Sequence, residues 1–166
     1  MSTPISYTLN VTINHVRPRI WRRILVPAGI KLPGLHVVIQ IAMGASNPLQ
    51  HFFVGGQKTV YANPAWRNLQ KIKSGRNVRL EKLLSRPGDR LAYYCGDDDD
   101  WEHTVELLKI TETPGRIGRA VCLAGSRRCP GRLECHEGEF LLPAVNSELQ
   151  RLLPDSLGCS RGTRHG

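Results

Sequence analysis

Three histidines and a run of aspartates carry the side chains best suited to metal or acid–base chemistry. His36 lies within an apolar segment, while His51 and His103 each begin a short, partly apolar segment. Imidazole nitrogens and carboxylate oxygens bind zinc and other divalent metals, and a bound metal can activate water for hydrolysis. If these histidines converge with Asp97 or Asp100, the chain is a metal-dependent hydrolase or nuclease. No pair has the H-E-x-x-H spacing that fixes two ligands on one helix, so three unrelated polar residues are the alternative.

The aspartates Asp97–Asp100 belong to a strongly acidic stretch, since residues 91–115 hold seven acids and only Lys109 as a base. Converging carboxylates suit a hard cation, but the run lacks the calcium-loop spacing. A solvated turn is the other interpretation, because Asp tolerates turn conformations. Apolar alternation on both sides predicts that the run is the exposed tip of a hairpin joining strands at 91–95 and 103–110. A charged tip would also oppose edge-to-edge pairing of the sheet.

The cysteines offer a second metal-binding set. Cys122, Cys129 and Cys135 lie in a segment rich in glycine, arginine and proline, and His136 follows directly. Three thiolates and an imidazole can form a structural zinc site, which could order a segment with few apolar residues. The spacing contains no C-x2-C pair, so reduced cysteines or one disulfide are alternatives. Zinc or another divalent metal is the cofactor that these residues suggest, although no motif requires one.

Positive charge is concentrated in the first half of the chain. Residues 1–80 contain eleven Lys or Arg and no Asp or Glu, and the whole chain has a formal net charge of +9. A basic face attracts nucleic acid because its side chains neutralise phosphates and release counterions. The nucleic-acid-binding candidates are Arg17, Arg19, Arg22 and Arg23. The alternative is that this half lies beside the acidic hairpin, so that the two fields largely cancel.

Hydrophobic periodicity predicts an α+β fold. Alternation predicts an antiparallel pair of strands at 7–14 and 20–26, with Arg22 on the same face as the aliphatic side chains of its strand. The other expected elements are a helix at 32–44, a strand at 51–54, a loop at 57–77, the two hairpin strands, and a second helix at 147–153. This order predicts one helix packed across a mixed or antiparallel sheet of about five strands, with a ubiquitin-like grasp as one candidate topology.

Five stretches of sequence resemble, in order, the Ri-plasmid ORF-3-like family. They are IWRRILVP, LHVVIQIAMG, HFFVGG, LSRPGDRLAYYCGDDDDWEHTVEL and CLAGSRRCPGRLEC. The resemblance implies an α+β fold and an association with plasmids and mobile elements, and it implies no particular biochemical role. This chain departs from the family pattern by two extra residues in the acidic turn, by Ala45 where the family usually has Trp, and by an altered tail after Phe140.

The sequence favours a small cytoplasmic accessory or binding module over an enzyme. It contains no P-loop, no G-x-S-x-G and no G-x-G-x-x-G motif. No apolar run is long enough to span a membrane, and the N-terminus lacks a signal-peptide pattern. We therefore expect residues 1–115 to form the α+β core, and residues 116–166 to form a Cys/Arg/Gly-rich segment with an irregular tail. Nucleic acid is a candidate partner, a membrane partner is not expected, and the metal-dependent hydrolase is the alternative function.

Overall fold

Alternating apolar side chains form a single mixed β-sheet in the part of the chain that the structure describes. The computed structural model describes residues 4–44, 51–56, 58–62, 72–95, 101–112, 120–127 and 140–151. The elements are β1 (Ile5–Ile13), β2 (Trp21–Pro27), α1 (Leu32–Met43), β3 (His51–Val54), β4 (Val60–Ala62), β5 (Ile72–Ser74), β6 (Arg90–Cys95), β7 (Trp101–Glu112), β8 (Val121–Ser126) and α2 (Leu142–Gln150). The strand order is β5-β4-β3-β6-β7-β1-β2-β8. Only β4 and β5 pair in parallel among the strands of the described ranges.

The predicted fold class is wrong. One helix across about five strands was expected, whereas the described residues form eight strands and two short helices, so that the fold is predominantly β. Two of the additional strands, β4 and β5, are three residues long and lie inside the predicted loop at 57–77. The third, β8, lies in the Gly/Arg/Cys-rich segment, where a register shift against β2 weakens the alternation. Such short or irregular strands form because neighbouring strands supply their hydrogen-bond partners.

The predicted strand pairs are confirmed in the described ranges. The apolar face of β1 is buried, and β1 pairs with β2 in antiparallel register. Strands β6 and β7 pair antiparallel from Arg90 with Glu106 to Cys95 with Trp101. Asp97–Asp100, predicted as the tip of this hairpin, lie outside the described residues. Strands β6 and β7 are both central, so a charged tip between them would not protect an edge of the sheet.

The helices pack on one face of the sheet. Helix α1 begins with Pro33 in its first turn and ends at Gly44, which adopts a left-handed conformation with φ of 72°. Helix α2 starts earlier than predicted and adds Leu149 to the same hydrophobic core. Strand β8 and helix α2 come from the segment 116–166 and pack on the sheet formed by the rest. In the part of the chain that is described, no helix is long and apolar enough to cross a membrane.

Arg22 is a buried cation at the junction of the sheet with both helical segments. Its side chain is on the core face, as alternation predicted, and the residue is only 1% exposed. Its Nε donates to the carbonyl of Ala42 at 2.7 Å, and its terminal nitrogens donate to the carbonyls of Trp21, Ser126 and Arg127. Arg22 therefore does not contribute to an exposed basic face.

Replacing Arg22 with Met should destabilise the fold by at least about 3 kcal/mol, because several buried carbonyls would lose their donors. The matched control is Arg23→Met, since Arg23 is exposed on the opposite face of the same strand. That change should alter the free energy of unfolding by less than about 1 kcal/mol. Urea titrations followed by circular dichroism measure both values. Equal losses for the two variants would contradict the role assigned to Arg22.

Candidate functional site

Helix α1 and strands β3, β6 and β7 bring five polar side chains, four of them with rings, together on the buried face of the sheet. His36 and Gln40 lie one turn apart on α1, so both reach the same part of the sheet. Tyr93 on β6 is directly opposite Phe53 on β3 and His103 on β7. The ring centroids of Tyr93 and His103 are 5.1 Å apart, and those of His36 and Tyr93 are 5.8 Å apart. We call His36, Gln40, His51, Tyr93 and His103 the His–Tyr cluster.

The hydroxyl of Tyr93 is the centre of this cluster. Gln40 Nε2 donates to it at 2.7 Å, and it lies 2.5 Å from His36 Nδ1. Burial raises the pKa of Tyr93 well above its ordinary value, so the phenol stays protonated and can donate its hydrogen to His36. The other end of the Gln40 amide, Oε1, is buried with no hydrogen-bond donor among the described residues. The bond to Tyr93 is therefore what holds this amide in the core.

His51 and His103, the other two histidines of the cluster, make different contacts. His51 stacks on His36, with ring centroids 3.6 Å apart and an interplanar angle of 7°. His103 is fully buried, and its Nδ1 lies 3.0 Å from the carbonyl oxygen of Trp101. Burial lowers the pKa of His103 from 6.5 to about 4, and hydrogen bonds to backbone oppose the shift only in part. A neutral His103 donates from Nδ1 to that carbonyl at neutral pH.

The structure brings His36 and His103 to the same buried tyrosine, but the described residues do not complete a metal site. Among them, no group of three or more His, Cys, Asp or Glu side chains is arranged to hold a metal ion. The carboxylate candidates, Asp97 and Asp100, lie outside the described ranges. The hydrolase interpretation thus stays a prediction, and the hydrogen bonds of His36 and Gln40 to Tyr93 hold α1 against β6.

Of the four residues of the predicted cysteine site, only Cys122 lies in the described ranges. Cys122 is buried on the core face of β8, and its Sγ lies 3.5 Å from the carbonyl oxygen of Ala124. Burial raises the pKa of this thiol, which favours its protonated form. Cys129, Cys135 and His136 lie outside the described residues, so the zinc site stays a prediction.

Three of the four predicted nucleic-acid contacts are exposed at one corner of the sheet. Arg17 and Arg19 lie in the link between β1 and β2, and Arg23 extends from the face of β2 opposite the helices. The Arg23 guanidinium carbon lies 5.6 Å from the ring centroid of the partly exposed Trp21. Trp21 pairs with Ser126, and the exposed Arg127 follows directly. We call Arg17, Arg19, Trp21, Arg23 and Arg127 the basic corner.

Sequence reasoning missed Tyr93, Gln40 and Arg127 as members of these sites. Tyr93 alternates with Leu91 and Cys95, which indicates a buried position, and Gln40 is four residues after His36 on the predicted helix. Those two patterns could have identified both residues. Arg127 could not be found in this way, because its position depends on the pairing of β8 with β2, which are about a hundred residues apart in the chain.

Stability should depend on pH through His103. The folded pKa lies below the unfolded value, so the unfolded chain binds more protons between them, and stability falls as the pH is lowered from 6.5 to about 4. The contribution of His103 to this fall is up to about 3 kcal/mol. Urea unfolding at several pH values should show a smaller dependence in His103→Gln than in the wild type. An unchanged pH profile in His103→Gln would contradict the role of burial.

Tyr93→Phe should lower the free energy of unfolding by about 1–3 kcal/mol, because the Gln40 amide and a buried imidazole nitrogen would lose a partner. Tyr94→Phe is the matched control, since Tyr94 lies next in sequence and partly exposed on the other face. Water can replace a partner there, so its loss should be smaller, about 0.5 kcal/mol. Chemical denaturation of the two variants measures the difference. Equal effects would show that the Tyr93 hydroxyl is not a structural centre.

Comparisons with known proteins place this architecture in a family. An uncharacterised protein, y4hQ, of Sinorhizobium fredii (strain NBRC 101917 / NGR234) is 31% identical over 124 residues, which are 74% of this chain and 62% of the relative. This chain therefore spans less than two thirds of that relative. The crystal structure of MM3350, a protein of unknown function from Methanosarcina mazei Go1, shares the fold with a TM-score of 0.67 and 24% identity, over 78% of this chain and 74% of the other. The sequence model of the plasmid pRiA4b ORF-3-like protein matches residues 6–133, and the chain belongs to that family.

Proposed function

We propose that this chain is a cytoplasmic accessory module that binds nucleic acid through the basic corner. Membership of a plasmid ORF-3-like family supports a role connected with plasmids or other mobile elements. The single observation that carries the proposal is that four exposed arginines lie at the end of β2 and β8 that also carries the partly exposed Trp21, with Arg23 close to its ring. This arrangement offers both positive charge and an aromatic surface to a ligand.

The arginines of the basic corner keep their charge available. Among the described residues, no carboxylate lies within ion-pair distance of Arg17, Arg19, Arg23 or Arg127. Two acidic side chains of β7, which β1 separates from β2, lie near basic side chains. Glu106 lies 3.0 Å from Arg90, and Glu102 lies 3.9 Å from His15. No described carboxylate therefore pairs directly with an arginine of the corner.

The chemistry of these side chains fits a phosphate backbone. A guanidinium can donate two parallel hydrogen bonds to a phosphate and remains charged at any physiological pH. An aromatic ring beside the arginines can stack on a base without regard to sequence. No described helix covers this face of β2, so an extended ligand can approach Trp21 and Arg23 together. These features support sequence-tolerant binding, with an affinity that falls as salt rises.

The double variant Arg19→Gln/Arg23→Gln should weaken binding and reduce the slope of log K against log salt by about 2, one unit for each lost phosphate contact. Fluorescence anisotropy with labelled DNA of about 20 nucleotides, single-stranded and duplex, measures this between about 50 and about 200 mM NaCl. Trp21→Leu should weaken binding to the single strand more than to the duplex, because unpaired bases are free to stack.

The matched control is Arg90→Gln/Arg151→Gln, which removes the same charge from two exposed arginines that pair with Glu106 and Glu148. It should retain the wild-type salt slope. If both double variants lose the same affinity, binding depends on net charge alone and the basic corner is not the site. The absence of binding by the wild-type chain at low salt would also overturn the proposal.

A further inference from the structure

The two edges of the sheet are protected in different ways. Edge strands usually avoid pairing with other chains by being short or by carrying charge. Strand β5 has both features, since it has three residues and includes Lys73. Strand β8 has neither, because its six residues, Val121–Ser126, contain no charged side chain. Val121 and Leu123 are also 38% and 44% exposed.

Helix α2 closes the edge of β8 with one side chain. Asn146 Oδ1 accepts a hydrogen bond from the backbone nitrogen of Cys122 at 2.8 Å, and Asn146 Nδ2 donates to the carbonyl oxygen of Cys122 at 2.9 Å. A residue facing Cys122 from an additional antiparallel strand would make the same pair of bonds, one accepted and one donated. The Asn146 amide thus takes the hydrogen bonds that a ninth strand would make with Cys122.

The attachment of α2 to the rest of the molecule is limited. Leu149 is the one residue of the helix that is fully buried, while Leu142 and Val145 are partly buried against the core. The helix also lies beyond residues 6–133, the range matched by the family. The β8 edge belongs to the family fold, whereas the helix that closes it comes from the following tail.

We propose that β8 is a pairing surface for a second copy of this chain, and that Asn146 keeps it closed. In an antiparallel pair of two β8 strands, each strand faces its own sequence, so the interface is two-fold symmetric. An uncharged strand places no like charges opposite each other in such a pair. Val121 and Leu123 of the two copies would cover one another on the face opposite the helices, which joins the two sheets into one.

Salt distinguishes this association from nucleic-acid binding. Two copies that each carry a net charge of +9 repel one another, and added salt screens that repulsion. Pairing through β8 should therefore strengthen as salt rises, whereas binding to nucleic acid weakens. The two proposals can then fail independently, because one is measured on the protein alone.

Sedimentation equilibrium of the full chain over a range of concentrations tests the proposal. Asn146→Ala should shift the chain from monomer towards dimer, with a dimer dissociation constant at least about tenfold lower than that of the wild type. Asn10→Ala is the matched control on a central strand and should keep the wild-type mass. Adding Leu123→Lys to Asn146→Ala should restore the monomer, because a lysine on the edge opposes pairing.

If Asn146→Ala fails to fold, Asn146→Asp decides the question, since it has the same shape but turns a donor into an acceptor that faces the Cys122 carbonyl. A folded Asn146 variant with the wild-type mass at every concentration would overturn the proposal. Association that persists when Leu123→Lys is added would also overturn it, because the contact would then lie elsewhere than β8.

Discussion

The guanidinium of Arg22 joins parts of the fold that strand pairing alone would not hold together. It binds carbonyl oxygens at the C-terminal end of α1 and at the end of β8, and the ring of Phe140, just before α2, lies 3.9 Å from its guanidinium carbon. The carbonyls at a helix C-terminus carry partial negative charge, which favours a guanidinium at this position. Gly125 leaves the necessary space, since a Cβ there would lie 2.8 Å from Arg22 Cδ and 2.9 Å from the Phe140 ring.

The sequence predicted the elements that local patterns specify. The alternation of β1 and β2, the helix ended by Gly44 and the pairing of the strands around Asp97–Asp100 were all predictable, because each pattern lies within a few residues. The strands β4, β5 and β8 were missed because they are short or irregular and form only beside a distant partner. The α+β assignment failed for this reason. Alternation placed Arg22 on the face of Ile24 and Val26, which the structure shows to be the core face, but its charge led to its prediction as a nucleic-acid contact.

The candidate sites were also predicted only in part, where residue type or a local pattern identified the residues. His36 and His103 were singled out by residue type, and the fold does bring both to one place, where Tyr93 lies between them and hydrogen-bonds to His36. The neutral state of His103 depends on burial, which composition does not reveal. The basic corner was predicted at Arg17, Arg19 and Arg23 and lacked Arg127, because that residue reaches the corner through the register of β8 on β2.

The two faces of the sheet place their titratable groups in different surroundings. On the inner face, burial keeps Tyr93 and His103 uncharged at neutral pH, and the buried guanidinium of Arg22 binds carbonyl oxygens. On the outer face, exposed arginines remain charged in water, where their field extends about 8–10 Å at ordinary salt. An electrostatic partner therefore meets only the outer face, while the inner face determines how firmly α1 is held. The sheet separates the outer face from the inner face. A change of charge on the outer face can therefore alter binding without disturbing the core that positions the exposed arginines.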